Sequence, residues 1–110
     1  MTRKQKKYLF DILMAIDNIL DTHLQGIADK EAFGSNLTVQ RAVERELGII
    51  GEACFRLKKL ELELPSSDPM INRRNTLVHQ YDIFKAGNIW DLIRRDLEPL
   101  KDEVSSLLEN

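Results

Sequence analysis

The chain has 110 residues and a mass of 12.7 kDa, enough for one domain whose small core would gain from dimerisation. Its composition, 43% hydrophobic and 31% charged, is that of a globular protein, and no stretch approaches the ~20 apolar residues that span a bilayer. A net charge of −2 and a pI near 5.7 exclude binding of nucleic acid by bulk positive charge, so any such contact needs a local basic patch.

The basic start, Arg3-Lys4-Gln5-Lys6-Lys7, is followed by Asp11 and Asp17 within the next stretch, which is not the pattern of a secretory signal. The cytoplasm is therefore the expected location. A first helix is predicted from about Lys4 to His23, with Tyr8, Ile12, Ala15, Ile16, Ile19 and Leu20 on one stripe. Leu9, Phe10 and Met14 widen that stripe and predict packing on two sides. From Gln25 to Leu37 the periodicity breaks at Gly26, Gly34, Ser35 and Asn36, leaving room for one short turn around Glu31-Ala32-Phe33.

A second helix is predicted from about Thr38 to Lys59. Val39, Val43, Leu47, Ile50, Cys54 and Leu57 recur every three or four residues along it. Gly48 and Gly51 fall inside it, each weakening the helix by roughly 1 kcal/mol relative to alanine, which suggests close approach of another helix. Leu64-Pro65-Ser66-Ser67-Asp68-Pro69 ends this helix and starts a third, short one, over about Pro69 to His79, with Asp68 as its N-cap. Asp82 to Asn88 is expected to be a loop, Gly87-Asn88 supplying a turn and a cap. The last helix is predicted from Ile89 to Leu108, with Ile89, Ile93, Leu97, Leu100, Val104 and Leu107 inward and Pro99 bending or restarting it. The whole is an all-α, antiparallel up-and-down bundle of four main helices in a single domain.

The chemistry is concentrated in the third helix: Arg73-Arg74-Asn75-Thr76-Leu77-Val78-His79-Gln80-Tyr81. Asn75 and His79 share a face, whereas Arg74 and His79 lie about 140° apart around a regular helix axis. They converge only through the reach of the arginine, a loosened helix end, or pairing with a second chain. Read from spacing alone, His79 is a histidine near a helix C-terminus, Arg74 a surface ion pair and Tyr81 a ring packed over the helix end. Glu52, near the apolar seam of the second helix, requires a partner, for which Arg73 or Arg74 is available; a structural ion pair is its plain reading. Arg41 and Arg45 would extend an RNA-binding surface or simply be solvated. Cys54, the only cysteine, sits among apolar residues and reads as packing; with His23 and His79 it does not make a zinc site, and no metal or cofactor is expected.

Arg74, His79 and Tyr81, spaced Arg-x4-His-x-Tyr, resemble the signature of HEPN proteins of the HepT type. Ala42-Val43-Glu44-Arg45-Glu46-Leu47-Gly48-Ile49-Ile50-Gly51-Glu52-Ala53 is similar to that family's second-helix block, and Ile89-Trp90 to the start of its last helix. The sequence Phe84-Lys85-Ala86-Gly87-Asn88 departs from the family in lacking an acidic residue before that helix. The resemblance implies a metal-independent endoribonuclease toxin with Arg74 and His79 catalytic and Asn75 and Glu52 supporting. It also implies a homodimer and a minimal nucleotidyltransferase antitoxin that transfers AMP to Tyr81. A non-catalytic HEPN module that binds substrate or scaffolds such a nucleotidyltransferase is the alternative, and a helical oligomerisation unit is a third reading.

Overall fold

The computed structural model describes residues 1–73 and 86–109. Its first helix, α1 (Arg3–Asp17), opens with a capping box: Thr2 Oγ1 accepts from the Gln5 backbone N–H at 3.1 Å, and Gln5 Oε1 accepts from the Thr2 backbone N–H at 2.8 Å. The chain then continues as a π-helix over Asn18–His23, so the long first helix foreseen in the sequence has two backbone registers. Leu9, Ile12, Ala15, Ile16 and Ile19 are buried. Phe10 and Met14 are not, being 52% and 64% exposed; the two packing sides expected of this helix are those that α3 and α5 cover.

The break between the first two long helices holds a short helix, α2 (Lys30–Gly34), capped by Asp29, whose Oδ1 accepts from the Ala32 N–H at 2.8 Å. Its role is to deliver Phe33, fully buried, against Trp90 with ring centroids 5.6 Å apart. The short turn expected around Glu31–Phe33 is thus a fifth helix in the bundle. The next, α3 (Leu37–Lys59), starts at Asn36, whose Oδ1 accepts from the Val39 N–H at 3.0 Å. Val43, Leu47, Ile50, Cys54 and Leu57 are buried as their periodicity requires, with Gly51 and Ala53 beside them.

The end of α3 forms a Schellman motif without a glycine. Leu62 N–H donates to Leu57 C=O at 2.9 Å and Glu61 N–H to Lys58 C=O at 3.1 Å, while Glu61 takes φ +62°. Leu62 also packs on the core, the hydrophobic contact that usually accompanies the motif.

Helical backbone resumes over 68–73, here α4. The Ser67 carbonyl accepts from Ile71 N–H at 3.1 Å, so Ser67 holds the N-cap position, one residue before the expected Asp68. Pro69 then lies in the first turn, where its missing N–H costs nothing. Ser66 fastens this junction to the last helix: its backbone N–H donates to Glu103 Oε1 at 2.9 Å and its hydroxyl to Glu103 Oε2.

The last helix, α5 (Ala86–Glu109), begins three residues before the sequence suggests and absorbs Gly87 and Asn88, which neither turn nor cap. Lys30 Nζ bonds both Asp91 carboxylate oxygens, at 3.1 and 3.0 Å, and the Phe33–Trp90 contact lies one residue away. Both tie the start of α5 to α2. Pro99 does not restart the helix. It lies on the exposed face, where water can take the carbonyl its ring leaves unbonded, between buried Leu97 and Leu100.

In the assembled bundle α1 packs against both α3 and α5, and α2 is wedged against α3 and α5. The α1–α3 pair is antiparallel: Gln5 Nε2 donates to Leu60 C=O at 3.0 Å at one end, and Asn18 Nδ2 to Glu46 Oε2 at 3.5 Å toward the other. Among the described residues, no helix is long and apolar enough to cross a membrane.

A left-handed conformation costs a residue with a Cβ roughly 1–2 kcal/mol. Glu61→Gly should therefore raise stability by about 1 kcal/mol, after allowing for the looser unfolded chain, as read by urea unfolding. Phe33→Ala should lower it by about 3–5 kcal/mol by emptying the site under Trp90. An unchanged midpoint for Phe33→Ala would contradict the anchoring role given to α2.

Candidate active site

Of the residues singled out in the sequence, Arg74, Asn75, His79 and Tyr81 lie outside the described residues. The described chain runs up to the residue before them. Arg73, the last described residue of α4, is only 4% exposed. Burial pushes its pKa down from the usual arginine value, and the negative charge of Glu44 on α3 pushes it back up. An arginine remains charged under either influence. Arg73 is thus a buried cation held beside α3, unsuited to bind an incoming phosphate.

Glu52 meets an arginine of its own helix. Its Oε1 accepts from Arg56 Nε at 2.9 Å, one turn further along α3, and its side chain is 40% exposed. Glu44, eight residues earlier on the same helix, contributes negative charge near Arg73 and meets Arg41 Nη1 at 3.2 Å.

Docking α1 along α3 gathers positive charge that is dispersed in the sequence. Lys4 and Tyr8 from the start of α1 line one concavity with Arg56, Lys59 and Leu60 from the end of α3. Lys59 Nζ lies 4.7 Å from the centre of the Phe55 ring, and Lys7 Nζ pairs with Asp11 at 2.8 Å. The two basic runs, Arg3–Lys7 and Arg56–Lys59, are visible in the sequence, but only the antiparallel pairing brings them together. This is a local basic region of the kind that an acidic protein needs to touch a polyanion.

Sequence reasoning also missed a polar group at the other end of the α1–α3 pair. Glu46, whose side chain is only 12% exposed, lies 3.9 Å from His23 Nε2 as well as beside Asn18. Its signal in the sequence was a histidine at the end of a helix, which does not reveal a carboxylate 23 residues away. Cys54 behaves as its surroundings imply. Burial, reinforced by the charge of Glu103, pushes its thiol up to about 12. Among the described residues, no group of three or more His, Cys, Asp or Glu is placed to hold a metal ion.

Comparison with known proteins agrees with this architecture. The sequence matches the HepT-like ribonuclease family over residues 12–107. A protein of Thermococcus cleftensis named probable ribonuclease HepT is 32% identical, the alignment covering 97% of this chain and 98% of that protein. Two proteins of Methanocaldococcus jannaschii, provisionally named as RNases, are 30% and 28% identical; these alignments cover 93% and 98% of this chain and 94% of each relative. No solved structure matches. The chain belongs to the HepT-like ribonucleases, and ribonuclease is its enzymatic class.

A thiol with a pKa of about 12 is protonated at pH 8, so thiol reagents should leave Cys54 untouched in the folded protein and modify it in denaturant. In the unfolded chain the same thiol ionises near its ordinary value of about 8.5. As pH rises from there toward 12 the unfolded state loses a proton that the folded state keeps, so this group lowers stability across that window. Equal labelling of Cys54 with and without denaturant would contradict its placement.

Proposed function

We propose that this ribonuclease cleaves RNA without a metal, using Arg74 and His79. The reading is carried by the Arg74-x4-His79-x-Tyr81 motif lying inside the span, 12–107, that matches the HepT-like ribonucleases. In the proposed reaction the 2′-hydroxyl oxygen attacks the adjacent phosphorus, and the bond from phosphorus to the 5′-oxygen breaks. The products are a 2′,3′-cyclic phosphate and a 5′-hydroxyl. His79 takes the 2′-hydroxyl proton or gives one to the leaving 5′-oxygen, work suited to a group that titrates near neutral pH. Arg74 holds the phosphate with its planar fork and stabilises the charge that develops on it. The burial of Arg73 supports assigning that role to Arg74 rather than to its neighbour.

Asn75, on the histidine's face, orients the imidazole or contacts the phosphate. Glu52 supports the site from α3. The RNA is held through its phosphates, and the cations gathered where α1 meets the end of α3 favour that contact despite the net charge of −2. Two copies of the chain associate, so that each cleft can draw on both motifs. The partner in this account is a minimal nucleotidyltransferase antitoxin in the same cytoplasm, which transfers AMP from a nucleoside triphosphate to the Tyr81 hydroxyl and releases pyrophosphate. The added bulk and negative charge beside Arg74 and His79 would keep RNA out.

Purified protein expressed without the nucleotidyltransferase, its mass checked for added AMP, should cleave RNA in excess EDTA, and His79→Ala should lose that activity by at least about a hundredfold. Failure of the folded, unmodified wild type to cut any of several RNAs would instead favour a non-catalytic scaffold.

A further inference from the structure

The geometry points to the outer face of α3, centred between Gly48 and Ile49, as the surface on which a second copy of this chain docks antiparallel, with Arg45 of each copy against Glu52 of the other. The inference rests on the homodimer proposed above and names the surface that makes it. Its first support is Gly48. A glycine within a helix is destabilising by about 1 kcal/mol relative to alanine. Packing among the described residues gives no reason for it, because a Cβ built there meets none of them within 4 Å. The groove beside it is open and is lined by Tyr8 of α1 together with Arg45, Gly48, Ile49 and Glu52 of α3. Ile49, a bulky apolar side chain, is 40% exposed there, and Met14 of α1, 64% exposed, borders it. A hollow and an apolar knob thus stand side by side on one exposed face.

The second support is charge. Arg45 and Glu52 are seven residues apart, so they share a face about 10 Å apart along the axis. Their midpoint falls between Gly48 and Ile49. A two-fold axis through that midpoint places each residue opposite the one equally far on the other side. Arg45 then faces the partner subunit's Glu52, the reciprocal pair forms by symmetry, and Ile49 rests on the partner subunit's Gly48. Arg45 is exposed and makes no ion pair among the described residues. The Glu52 side chain is 40% exposed and a carboxylate accepts several hydrogen bonds, so the contacts it makes within its own chain, Arg56 among them, do not prevent it from meeting an arginine of the partner. The same rule brings Arg41 toward Arg56 at the ends of the contact, where each already carries a carboxylate of its own chain, Glu44 and Glu52. In a parallel arrangement Arg45 would instead face another Arg45, which like charges disfavour.

The test is a charge swap read by sedimentation equilibrium of the full chain. Wild type is expected to be a dimer at micromolar concentration. Arg45→Glu and Glu52→Arg should each weaken dimerisation by about tenfold or more, and the double variant, with both charges exchanged, should regain most of the wild-type affinity. Ile49→Asp, an exposed position whose change leaves the core alone, should also split the dimer by setting two carboxylates near the axis. A wild-type dimer that none of these changes weakens would overturn this surface and leave the homodimer standing. A wild-type monomer would overturn both.

Discussion

The docking of α1 along α3 is the contact on which the rest of the molecule depends. It buries Leu9, Ile12, Ile16 and Ile19 against Val43, Leu47, Ile50 and Leu57, which form much of the core. Its antiparallel register also decides what the surface can do. The basic start of α1 meets the basic end of α3, Asn18 and His23 reach Glu46 at the opposite end, and an open groove runs between. Rotate either helix about its axis and its apolar stripe leaves the core; reverse one of them and the cations separate.

With one face of α3 committed to the core, its flanks serve different ends. Glu44 lends charge to the buried Arg73 at the end of α4, immediately before the motif arginine, while Glu52 faces outward with Arg56. The core sets the rotation of α3, and Arg73, buried and within the field of Glu44, immediately precedes the motif in the sequence. Ser66 and Glu103 secure the same junction from the side of α5.

Much of this was legible in the sequence where a single physical pattern dominates. The seams of α3 and α5 follow from spacing alone, and Asn36 was identifiable as a turn or capping residue. The pattern misled where a tertiary contact outweighed a local preference. Gly87 and Asn88 suggest a turn, yet the burial of Ile89 and Trp90 and the Lys30–Asp91 bond favour an earlier start to the helix. Phe10 and Met14 are apolar but exposed, because they lie off the faces of α1 that α3 and α5 cover. The Schellman turn at Glu61 escaped notice because its usual marker, glycine, is missing. For the candidate site, the order of residues carried the motif, but the burial of Arg73, among the described residues, could not be read from it.

An acidic ribonuclease is then no contradiction. Its net charge averages over a surface on which cations are gathered locally, and a nuclease need hold its substrate only for the lifetime of one reaction. The central chemical claim is that the RNA's own 2′-hydroxyl is the nucleophile, with Arg74 and His79 assisting and water excluded from that role. The most direct measurement is mass spectrometry of the ends left on a cleaved RNA oligonucleotide. This account predicts a 2′,3′-cyclic phosphate on one fragment and a 5′-hydroxyl on the other, with no cleavage where the 2′-position is deoxy. Fragments bearing a 5′-phosphate and a free 3′-hydroxyl would contradict it.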